Sequence, residues 1–340
     1  MTHHVILGAG PAGVIAAETI RKLSPHDTIT IIGDEPEPCY SRMAIPYLLM
    51  GNIDESGTYL RKSPTHFADL KINMLQALVK SVIAATKTIV LSNGETVVFD
   101  TLLVATGSHP IRPPIAGIDA PGVHPCWTLA DARAIMALAT PGARVLQLGA
   151  GFIGCIIMEA LAARGVHLSV VEMGDRMVPR MMGPTAGGMI REWCETKGVE
   201  VFTGTKVESI EAGTPLTVRL SNGKTMQADL VISAAGVRPA IGFLENSGIT
   251  CLLGVLTDEH LQTNVPGIFA AGDCAEAFDK VSGKTIVSAI QPNASEQARV
   301  AATNMVAYAA GREAQTSLPG VTQINVLDTL GLISASFGDW

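Results

Sequence analysis

The feature that most constrains this chain is a glycine pattern that occurs twice, each time directly after a short apolar run. The two copies are HVILGAGPAG at residues 4–13 and RVLQLGAGFIG at residues 144–154. Their GxGxxG glycines are Gly8, Gly10 and Gly13 in the first copy and Gly149, Gly151 and Gly154 in the second. Each copy continues with apolar residues at i, i+3 and i+4, which predicts a helix, and then with a β-branched run, TITII or HLSVV, which predicts a strand. The chain therefore contains two predicted βαβ units.

A GxGxxG loop inside a βαβ unit is typical of dinucleotide binding. The first glycine allows a tight turn, the second lets the backbone approach a pyrophosphate, and the third packs the helix against the strand. The pyrophosphate then lies at the helix N-terminus, whose free N–H groups attract anions. An acidic residue follows the second strand in both units, Asp34 or Glu35 in the first and Glu172 in the second. A carboxylate there accepts hydrogen bonds from ribose hydroxyls.

Glu172 also bears on the choice of nucleotide. Its negative charge would repel a 2′-phosphate, which favours NADH over NADPH, although Arg176 and Arg180 lie close enough in sequence to weaken that preference. The alternative interpretation is that these acids are solvated strand ends without a ligand.

Three later stretches fit the same design. FDTLLVATGSHP at 99–110 and ADLVISAAGVRP at 228–239 each predict a buried strand that ends in a turn of small residues. TNVPGIFAAGDCAEA at 263–277 predicts a strand that ends in Gly272-Asp273 at the start of a helix. An aspartate there can bind a polyol hydroxyl, and the helix N-terminus faces a phosphate. The same signal also fits an ordinary helix cap.

Composition narrows the class of protein further. The 340 residues suffice for two or three domains, and 47% hydrophobic against 16% charged residues predicts extensive burial. The N-terminus enters a strand without a signal peptide and no apolar run reaches about eighteen residues, so we expect a cytoplasmic protein. A net charge of −7 without a basic cluster gives no sign of nucleic acid or membrane as a partner, while a basic protein partner stays open. The six cysteines form no CxxC pair and the eight histidines no HExxH, so no metal is expected.

With two GxGxxG units followed by ATG, GVRP and AAGD in this order, the chain resembles the flavoproteins with two dinucleotide-binding domains, the pyridine nucleotide-disulfide oxidoreductase superfamily. The resemblance runs from about residue 3 to 315. Within it, GDEPEPCYSR, AAGVRPAIGFLENSGI and QPNASEQARVAATNM are most similar to one branch. That branch contains ferredoxin and rubredoxin reductases, NADH oxidases, coenzyme A-disulfide reductases and the flavin module of nitrite reductases.

The resemblance implies FAD at the first unit and NADH at the second. It implies FAD contacts from Gly8, Gly10, Pro11, Ala12, Gly13, Asp34 or Glu35, Arg42, the backbone near Val79, Ala105, Thr106, Gly107, Gly272 and Asp273. It implies NADH contacts from Gly149, Gly151, Phe152, Ile153, Gly154, Glu172 and the Gly236 turn. Hydride would pass from nicotinamide to flavin where the domains meet, and the cofactor would supply the chemistry.

The implied fold class is α/β, with two Rossmann-like three-layer nucleotide-binding domains and the NAD domain inserted into the FAD domain. The expected division is 1–110 (FAD, first part), 111–239 (NAD), 240–315 (FAD, second part) and 316–340. The last stretch, TQINVLDTLGLISASFGDW, is similar to the opening strands of the interface domain that covers the flavin and makes the dimer in these relatives. That domain is therefore expected to be missing or truncated, and a homodimer is expected only if it is supplied.

Two departures from the family fall in CYSRMAIPYLLMG, residues 39–51, here called the 39–51 segment. Relatives that reduce disulfides or oxygen carry a cysteine in a segment similar to SFxxCGLPY, and aligning its Pro-Tyr on Pro46-Tyr47 places Met43 at that position. Ferredoxin reductases carry a lysine in a segment similar to YDRPPLSK, and aligning it on Tyr40 and Arg42 places Tyr47 there. Methionine forms no thiolate, so Met43 cannot replace the reactive cysteine. With Tyr47 at the lysine position, both usual reactive side chains are absent.

A third departure is Ile156, where relatives often have glutamate. No residue is therefore assigned a catalytic role, and Arg42 and Tyr47 are the candidates near the flavin. Cys39 stands out of register and is expected to be inert. Other side chains have two interpretations each: flavin contact or a surface ion pair for Arg42, ring stacking or core packing for Tyr47 and Trp127, and the flavin end or an exposed face of a helix for Gln297 and Arg299.

These observations leave three hypotheses of function. The first is an NADH-dependent FAD oxidoreductase that passes electrons to a separate acceptor, such as a rubredoxin-like or ferredoxin-like protein or a larger enzyme's redox centre. The second is direct reduction of a small molecule such as oxygen or coenzyme A disulfide, which would need Cys39 as a substitute thiol. The third is a redox sensor or structural subunit that binds flavin and NADH with little turnover.

Overall fold

A computed structural model describes residues 1–338. Its secondary structure before the first crossing between domains is β1 (His3–Leu7), α1 (Pro11–Leu23), β2 (Thr28–Gly33), α2 (Ile45–Leu49), α3 (His66–Asp69), β3 (Ile72–Gln76), β4 (Val79–Ile83), β5 (Thr88–Leu91), β6 (Thr96–Val98), β7 (Thr101–Val104) and β8 (Ser108–Pro110). Proline at the first position of α1 suits a helix start, because its missing N–H would have no partner within the helix. Both helices predicted from the glycine motifs form.

The middle of the chain forms β9 (Val123–Pro125), α4 (Leu129–Leu138), β10 (Arg144–Leu148), α5 (Phe152–Ala163), β11 (His167–Val171), α6 (Pro184–Thr196), β12 (Glu200–Phe202), β13 (Val207–Glu211), β14 (Leu216–Leu220), β15 (Thr225–Ala228), β16 (Leu230–Ser233) and β17 (Val237–Pro239). The remainder forms β18 (Val255–Leu256), β19 (Ile268–Ala270), β20 (Ala275–Phe278), β21 (Thr285–Val287), α7 (Gln291–Ala309), β22 (Ile324–Thr329) and β23 (Leu332–Phe337).

Two five-stranded parallel sheets organise these elements. The first has the order β19-β7-β1-β2-β3 and the second the order β12-β11-β10-β16-β9. In each, the strand before the glycine loop lies at the centre, flanked by the strand that follows its helix and by a strand from much later in the chain. This is the doubly wound arrangement in which ligands bind beyond the carboxyl ends of the strands. The strands of the second sheet all lie in sequence between β7 and β19 of the first sheet, so the second domain is inserted into the first, as expected.

The chain crosses between the two sheets through β8 and β17, which pair with each other antiparallel. Ser108 lies opposite Pro239 and Pro110 lies opposite Val237. The exit from the first domain and the return to it are therefore adjacent.

The 39–51 segment leaves the first sheet and packs on the second domain. Tyr40, Ile45, Leu48 and Leu49 are buried in one apolar core with residues of β10, α4 and α5. Arg164, just after α5, donates to the carbonyls of Leu49, Met136 and Ala139, near the ends of α2 and α4. The two domains are thus joined by packing as well as by the crossing strands.

The final stretch forms the β22–β23 hairpin, and the expectation that these strands open a further domain stays a prediction. Its inner face packs on α5 through Leu327 and Leu332, while Ile333 and Phe337 on the outer face are 72% and 81% exposed. Asp339 and Trp340, at the end of that expected domain start, lie outside the described residues. Within residues 1–338, no helix is both long and apolar enough to cross a bilayer.

Candidate functional site

A cavity of about 260 Å³, here called the main cavity, lies where the carboxyl end of the first sheet meets the start of α5. Its walls come from six groups of residues. They are Gly8–Ala12 of the first glycine loop, most of residues 33–46 after β2, Ala105–Ser108 after β7, Gly272-Asp273 after β19, Ala289, Gln291 and Ala294 around the start of α7, and a group at the domain junction made of Cys126, Trp127, Phe152, Ile153, Ile156, Ile157 and Val237. A second cavity of about 20 Å³ adjoins it and shares Cys126, Trp127, Ile153, Ile157 and Val237.

The glycines of the first motif have separate roles that the geometry distinguishes. A Cβ on Gly8, whose φ is +111°, would lie 2.1 Å from the carbonyl oxygen of Ala105, and a Cβ on Gly13 would lie 2.0 Å from the carbonyl oxygen of Gly8. A Cβ on Gly10 would meet no protein atom within 4 Å, and Gly10 lines the cavity. The space in front of Gly10, at the N-terminus of α1, therefore fits the pyrophosphate of a dinucleotide.

The second motif repeats this geometry. A Cβ on Gly149 would lie 2.4 Å from the carbonyl oxygen of Ala234, and one on Gly154 would lie 2.5 Å from that of Gly149. A Cβ on Gly151 would meet nothing within 4 Å. The same open position thus precedes α5.

The acids after the second strands differ in their surroundings. Asp34 is exposed, whereas Glu35 accepts from Arg42 Nη2 at 2.6 Å and from the Tyr40 hydroxyl at 2.5 Å. Glu172 is 9% exposed and accepts from the backbone N–H groups of Ala150 and Gly174, both at 2.7 Å. These bonds hold Glu172 beside the second glycine loop, which contradicts the interpretation as a solvated strand end.

The arginines near Glu172 are not equivalent. Arg176 donates to the carbonyls of Met182 and Pro179 and to the Asp175 carboxylate, so its guanidinium is held within its own loop. Arg180 is exposed. Arg176 and Arg180 were both expected to weaken the preference for NADH. The Arg176 guanidinium is bonded to other partners within its loop.

Asp273 lies where the sequence placed it, but the helix predicted to start there does not form. Gly272 has φ +83°, and the chain continues into β20, which pairs with β18 and β21. The Asp273 carboxylate accepts from Ser108 Oγ at 3.1 Å, and burial raises its pKa. The long helix that contributes to this cavity is α7, through Gln291 and Ala294.

The 39–51 segment forms one wall of the main cavity, and one expectation about it needs correction. Arg42, Met43, Ile45 and Pro46 line the cavity, so Arg42 is both a cavity residue and the partner of Glu35. Tyr47 is 54% exposed on the outside of α2 and lines neither cavity, so its expected place near a flavin ring is wrong.

The cysteines on this cavity are protonated thiols at neutral pH. Cys39 and Cys126 both line the cavity. Burial raises the pKa of the Cys39 thiol to about 11 and that of the Cys126 thiol to about 12. Because the thiolate is the nucleophilic form, neither is prepared for thiol chemistry.

The remaining predicted residues divide between the cavities and their surroundings. Those that line the main cavity are Gly8, Gly10, Pro11, Ala12, Asp34, Glu35, Arg42, Ala105, Thr106, Gly107, Phe152, Ile153, Gly272 and Asp273. Gly236 lines the second cavity. Neither cavity is lined by Gly13, Val79, Gly149, Gly151, Gly154 or Glu172, and Val79 instead packs in the core behind the first sheet.

Gln297 is 1% exposed and accepts from the backbone N–H of Gly272. The interpretation as an exposed helix face is therefore wrong for Gln297, whereas Arg299 is exposed.

Sequence reasoning missed Ser108, Gln291 and Ile157 at this site. Ser108 directly follows the predicted Ala-Thr-Gly turn, and that adjacency was a usable signal. Gln291 accepts from Ser41 Oγ at 2.8 Å across 250 residues, which no local pattern indicates. Ile156 and Ile157 face the cavity, so the wall formed by α5 is apolar where relatives often carry a glutamate.

Comparisons with known proteins agree with this architecture. The model of the pyridine nucleotide-disulphide oxidoreductase family matches residues 2–304. The chain is 31% identical to the NADH-dependent phenylglyoxylate dehydrogenase subunit epsilon of Aromatoleum evansii, covering 99% of this chain and 79% of that protein. It is 32% identical to an NADH oxidase of Methanocaldococcus jannaschii, covering 88% and 69%.

Among solved structures, the covalent putidaredoxin reductase–putidaredoxin complex superposes with a TM-score of 0.90 at 26% identity, covering 99% of this chain and 81% of that one. FAD and NAD(P)H are the cofactors of this class, and the open positions at Gly10 and Gly151 fit two dinucleotides. The chain therefore belongs to the pyridine nucleotide-disulphide oxidoreductase family and is an NAD(P)H-dependent flavoprotein oxidoreductase.

Proposed function

We propose that this protein takes hydride from NADH onto FAD and passes the electrons to a separate acceptor protein. The observation that carries the proposal is one cavity that runs from the first glycine loop to the first turns of α5, the helix of the second glycine motif. A flavin bound there would face groups from both nucleotide-binding units. The flavin supplies the ability to accept two electrons together and to release them singly.

The first domain's residues bind and orient FAD in this proposal. The α1 N-terminus and Gly10 receive the pyrophosphate, Glu35 is the ribose acid, and Asp273 faces a polyol hydroxyl. Arg42 supplies a positive charge on the same wall, already paired with Glu35 at 2.6 Å. The wall of Met43, Ile45, Phe152 and Ile156 excludes water around the reacting ring.

The second domain's residues bind NADH. Gly151 and the α5 N-terminus receive its pyrophosphate, and Glu172 receives the adenosine ribose. Because Glu172 is fixed by two backbone N–H groups and Arg176 is committed within its loop, a 2′-phosphate would meet a carboxylate without a free neighbouring guanidinium from Arg176. This supports a preference for NADH over NADPH.

The acceptor is proposed to be a protein because the cavity offers no reactive thiol among the described residues. Cys39 and Cys126 are protonated, and Met43 stands where disulfide-reducing relatives have cysteine. The relative in Aromatoleum evansii is named as subunit epsilon of an NADH-dependent phenylglyoxylate dehydrogenase, and a structural relative was solved in a covalent complex with putidaredoxin. A second candidate, direct reduction of oxygen, is favoured by the likeness to the NADH oxidase.

We propose the division 1–110, 111–239, 240–315 and 316–340 for these roles. The single sheet formed by β1, β2, β3, β7 and β19 supports joining the first and third parts into one FAD domain. A cytoplasmic location and a homodimer, formed if an interface domain continues from β23, complete the proposal.

The test is an anaerobic comparison on purified protein. The purified protein should be yellow with bound FAD, and NADH should bleach the flavin faster than NADPH at equal concentration. The reduced flavin is then mixed with oxygen, coenzyme A disulfide, a rubredoxin or a ferredoxin, and the rate of reoxidation is followed by absorbance. Faster reoxidation by an electron-carrier protein supports the proposal, while oxygen as the fastest acceptor would support the second candidate. Protein that cannot be reconstituted with FAD contradicts both.

A further inference from the structure

Trp127 lies where three parts of the chain meet. Its backbone N–H donates to Asp131 Oδ2 at 3.1 Å, within the cap of α4. Its indole Nε1–H donates to the carbonyl oxygen of Ser108, on crossing strand β8, at 2.9 Å. Its own carbonyl oxygen accepts from Arg42 Nη1, in the 39–51 segment, at 2.8 Å. The position of Trp127 is therefore fixed from three directions.

Two of these partners, Arg42 and Ser108, each donate a hydrogen bond to a carboxylate that lines the main cavity. Arg42 donates to Glu35 at 2.6 Å, and the Ser108 hydroxyl donates to Asp273 at 3.1 Å. Glu35 follows β2 and Asp273 follows β19, so the two acids stand on opposite sides of the central strand β1. Trp127 connects them through one hydrogen bond on each side.

Packing adds to this connection. The Arg42 guanidinium carbon lies 5.4 Å from the centre of the Trp127 ring and 5.4 Å from that of the Tyr40 ring, within the range of cation–π attraction. Trp127 is also a wall of both the main and the second cavity. It belongs to the inserted domain, whereas the two acids belong to the first domain.

We propose that Trp127 is a positioning residue for FAD: its indole N–H holds Ser108 and its ring packs on Arg42, and through these two residues it orients Asp273 and Glu35, so that the affinity of the first domain for FAD depends on a side chain of the inserted domain. The inference rests on the proposed function, because it assumes that FAD occupies the main cavity. Loss of one hydrogen bond of this kind changes an equilibrium by about 3- to 10-fold.

The test is a double-mutant cycle on the dissociation constant of FAD, measured by flavin fluorescence on apoprotein. Trp127→Phe keeps a ring beside Arg42 and removes the indole donor, so FAD affinity should fall about 3-fold. Trp127→Ala also removes the ring, so affinity should fall about 10-fold or more. Combined with Arg42→Ala, Trp127→Ala should lose at least part of its effect, because residues that act through one another are not additive.

Trp193→Ala is the matched control. Its indole donates to the carbonyl oxygen of Leu330 in the hairpin at 3.2 Å, away from both cavities, and FAD affinity should stay within about 2-fold. The visible circular dichroism of bound FAD should change in Trp127→Phe and not in Trp193→Ala.

The possible results separate failure of the proposed function from failure of the inference about Trp127. Wild-type protein that binds no FAD refutes the proposed function and this inference with it. Wild-type FAD binding, with Trp127→Phe indistinguishable from wild type or with fully additive Trp127 and Arg42 effects, refutes the inference alone. Should Trp127→Ala fail to fold, the Phe variant with and without Ser108→Ala gives a second cycle, in which Trp127→Phe should lose part of its effect because both changes act on the link to Asp273.

Discussion

Replacing the motif glycines with alanine, one at a time, separates positions that hold the fold from positions that hold a nucleotide. Alanine at Gly13 or Gly154 would place a methyl group 2.0 or 2.5 Å from a backbone carbonyl oxygen. Alanine at Gly10 or Gly151 meets no protein atom within 4 Å, and both residues have φ values, −80° and −73°, that alanine adopts freely. We expect the first pair to destabilise the apoprotein and the second pair to leave it intact.

The magnitudes follow from these distances. Overpacking costs about 1–3 kcal/mol, and contacts this far inside van der Waals range lie at the upper end. A loss of about 3 kcal/mol lowers the melting temperature of a domain of this size by about 6–12 °C. At Gly10 the methyl group stands where the pyrophosphate must approach, so FAD affinity should fall at least about 10-fold, or 1.4 kcal/mol.

The assay combines calorimetry of the four apoproteins with FAD titration and anaerobic reduction over a range of NADH concentrations. Gly10→Ala should melt like wild type and lose FAD, whereas Gly151→Ala should keep FAD and need more NADH. Equal melting temperatures for Gly10→Ala and Gly13→Ala would refute the division of roles. Unchanged FAD affinity in Gly10→Ala would refute the placement of the pyrophosphate.

Three further expectations concern single side chains. Cys39→Ser should leave NADH-dependent dye reduction unchanged, because burial raises the thiol pKa to about 11; a large loss would favour thiol chemistry. Glu172→Gln should lower the ratio of the rate of flavin reduction by NADH to the rate by NADPH. An unchanged ratio would contradict the proposed role of Glu172 in disfavouring a 2′-phosphate. Hydrogen bonds from Arg144 lower the pKa of Asp229 from 3.8 to about 2, so this carboxylate stabilises the fold at neutral pH and the effect is lost as the pH falls through that interval. The difference in urea midpoint between wild type and Asp229→Asn should therefore shrink on acidification, and a constant difference would contradict the assignment.

The parts of the fold that the sequence predicted well are those written in short-range patterns. The helix predicted at the first glycine motif forms as α1 (Pro11–Leu23), because its apolar residues recur on one face and Pro11 suits its start. The run HLSVV likewise forms β11. The insertion of one domain in the other followed from the resemblance and not from any local pattern.

The failures concern features that no short-range sequence pattern determines. A strand follows Asp273 in place of the predicted helix, because β20 is completed by pairing with β18 and β21. Tyr47 belongs to a helix of five residues, too short for periodicity to show which face is buried, and that face is set by packing on α4 and α5. The bonds of Glu35 with Arg42 and Tyr40 could not be foreseen either, since they depend on how the chain turns after β2.

The order of strands also determines when each half can fold during synthesis. All strands of the second five-stranded sheet lie between residues 123 and 233, so that sheet is complete on the ribosome while the first sheet still lacks its edge strand β19 and the helix α7 that packs on α1. Domains usually fold in the order in which they are made, but here the domain that is started first is finished last. The 39–51 segment emerges early and supplies the inserted domain with its share of core. The walls formed by Gly272, Asp273 and the start of α7 come much later, so the cavity for the flavin is complete only after residue 294 has been made.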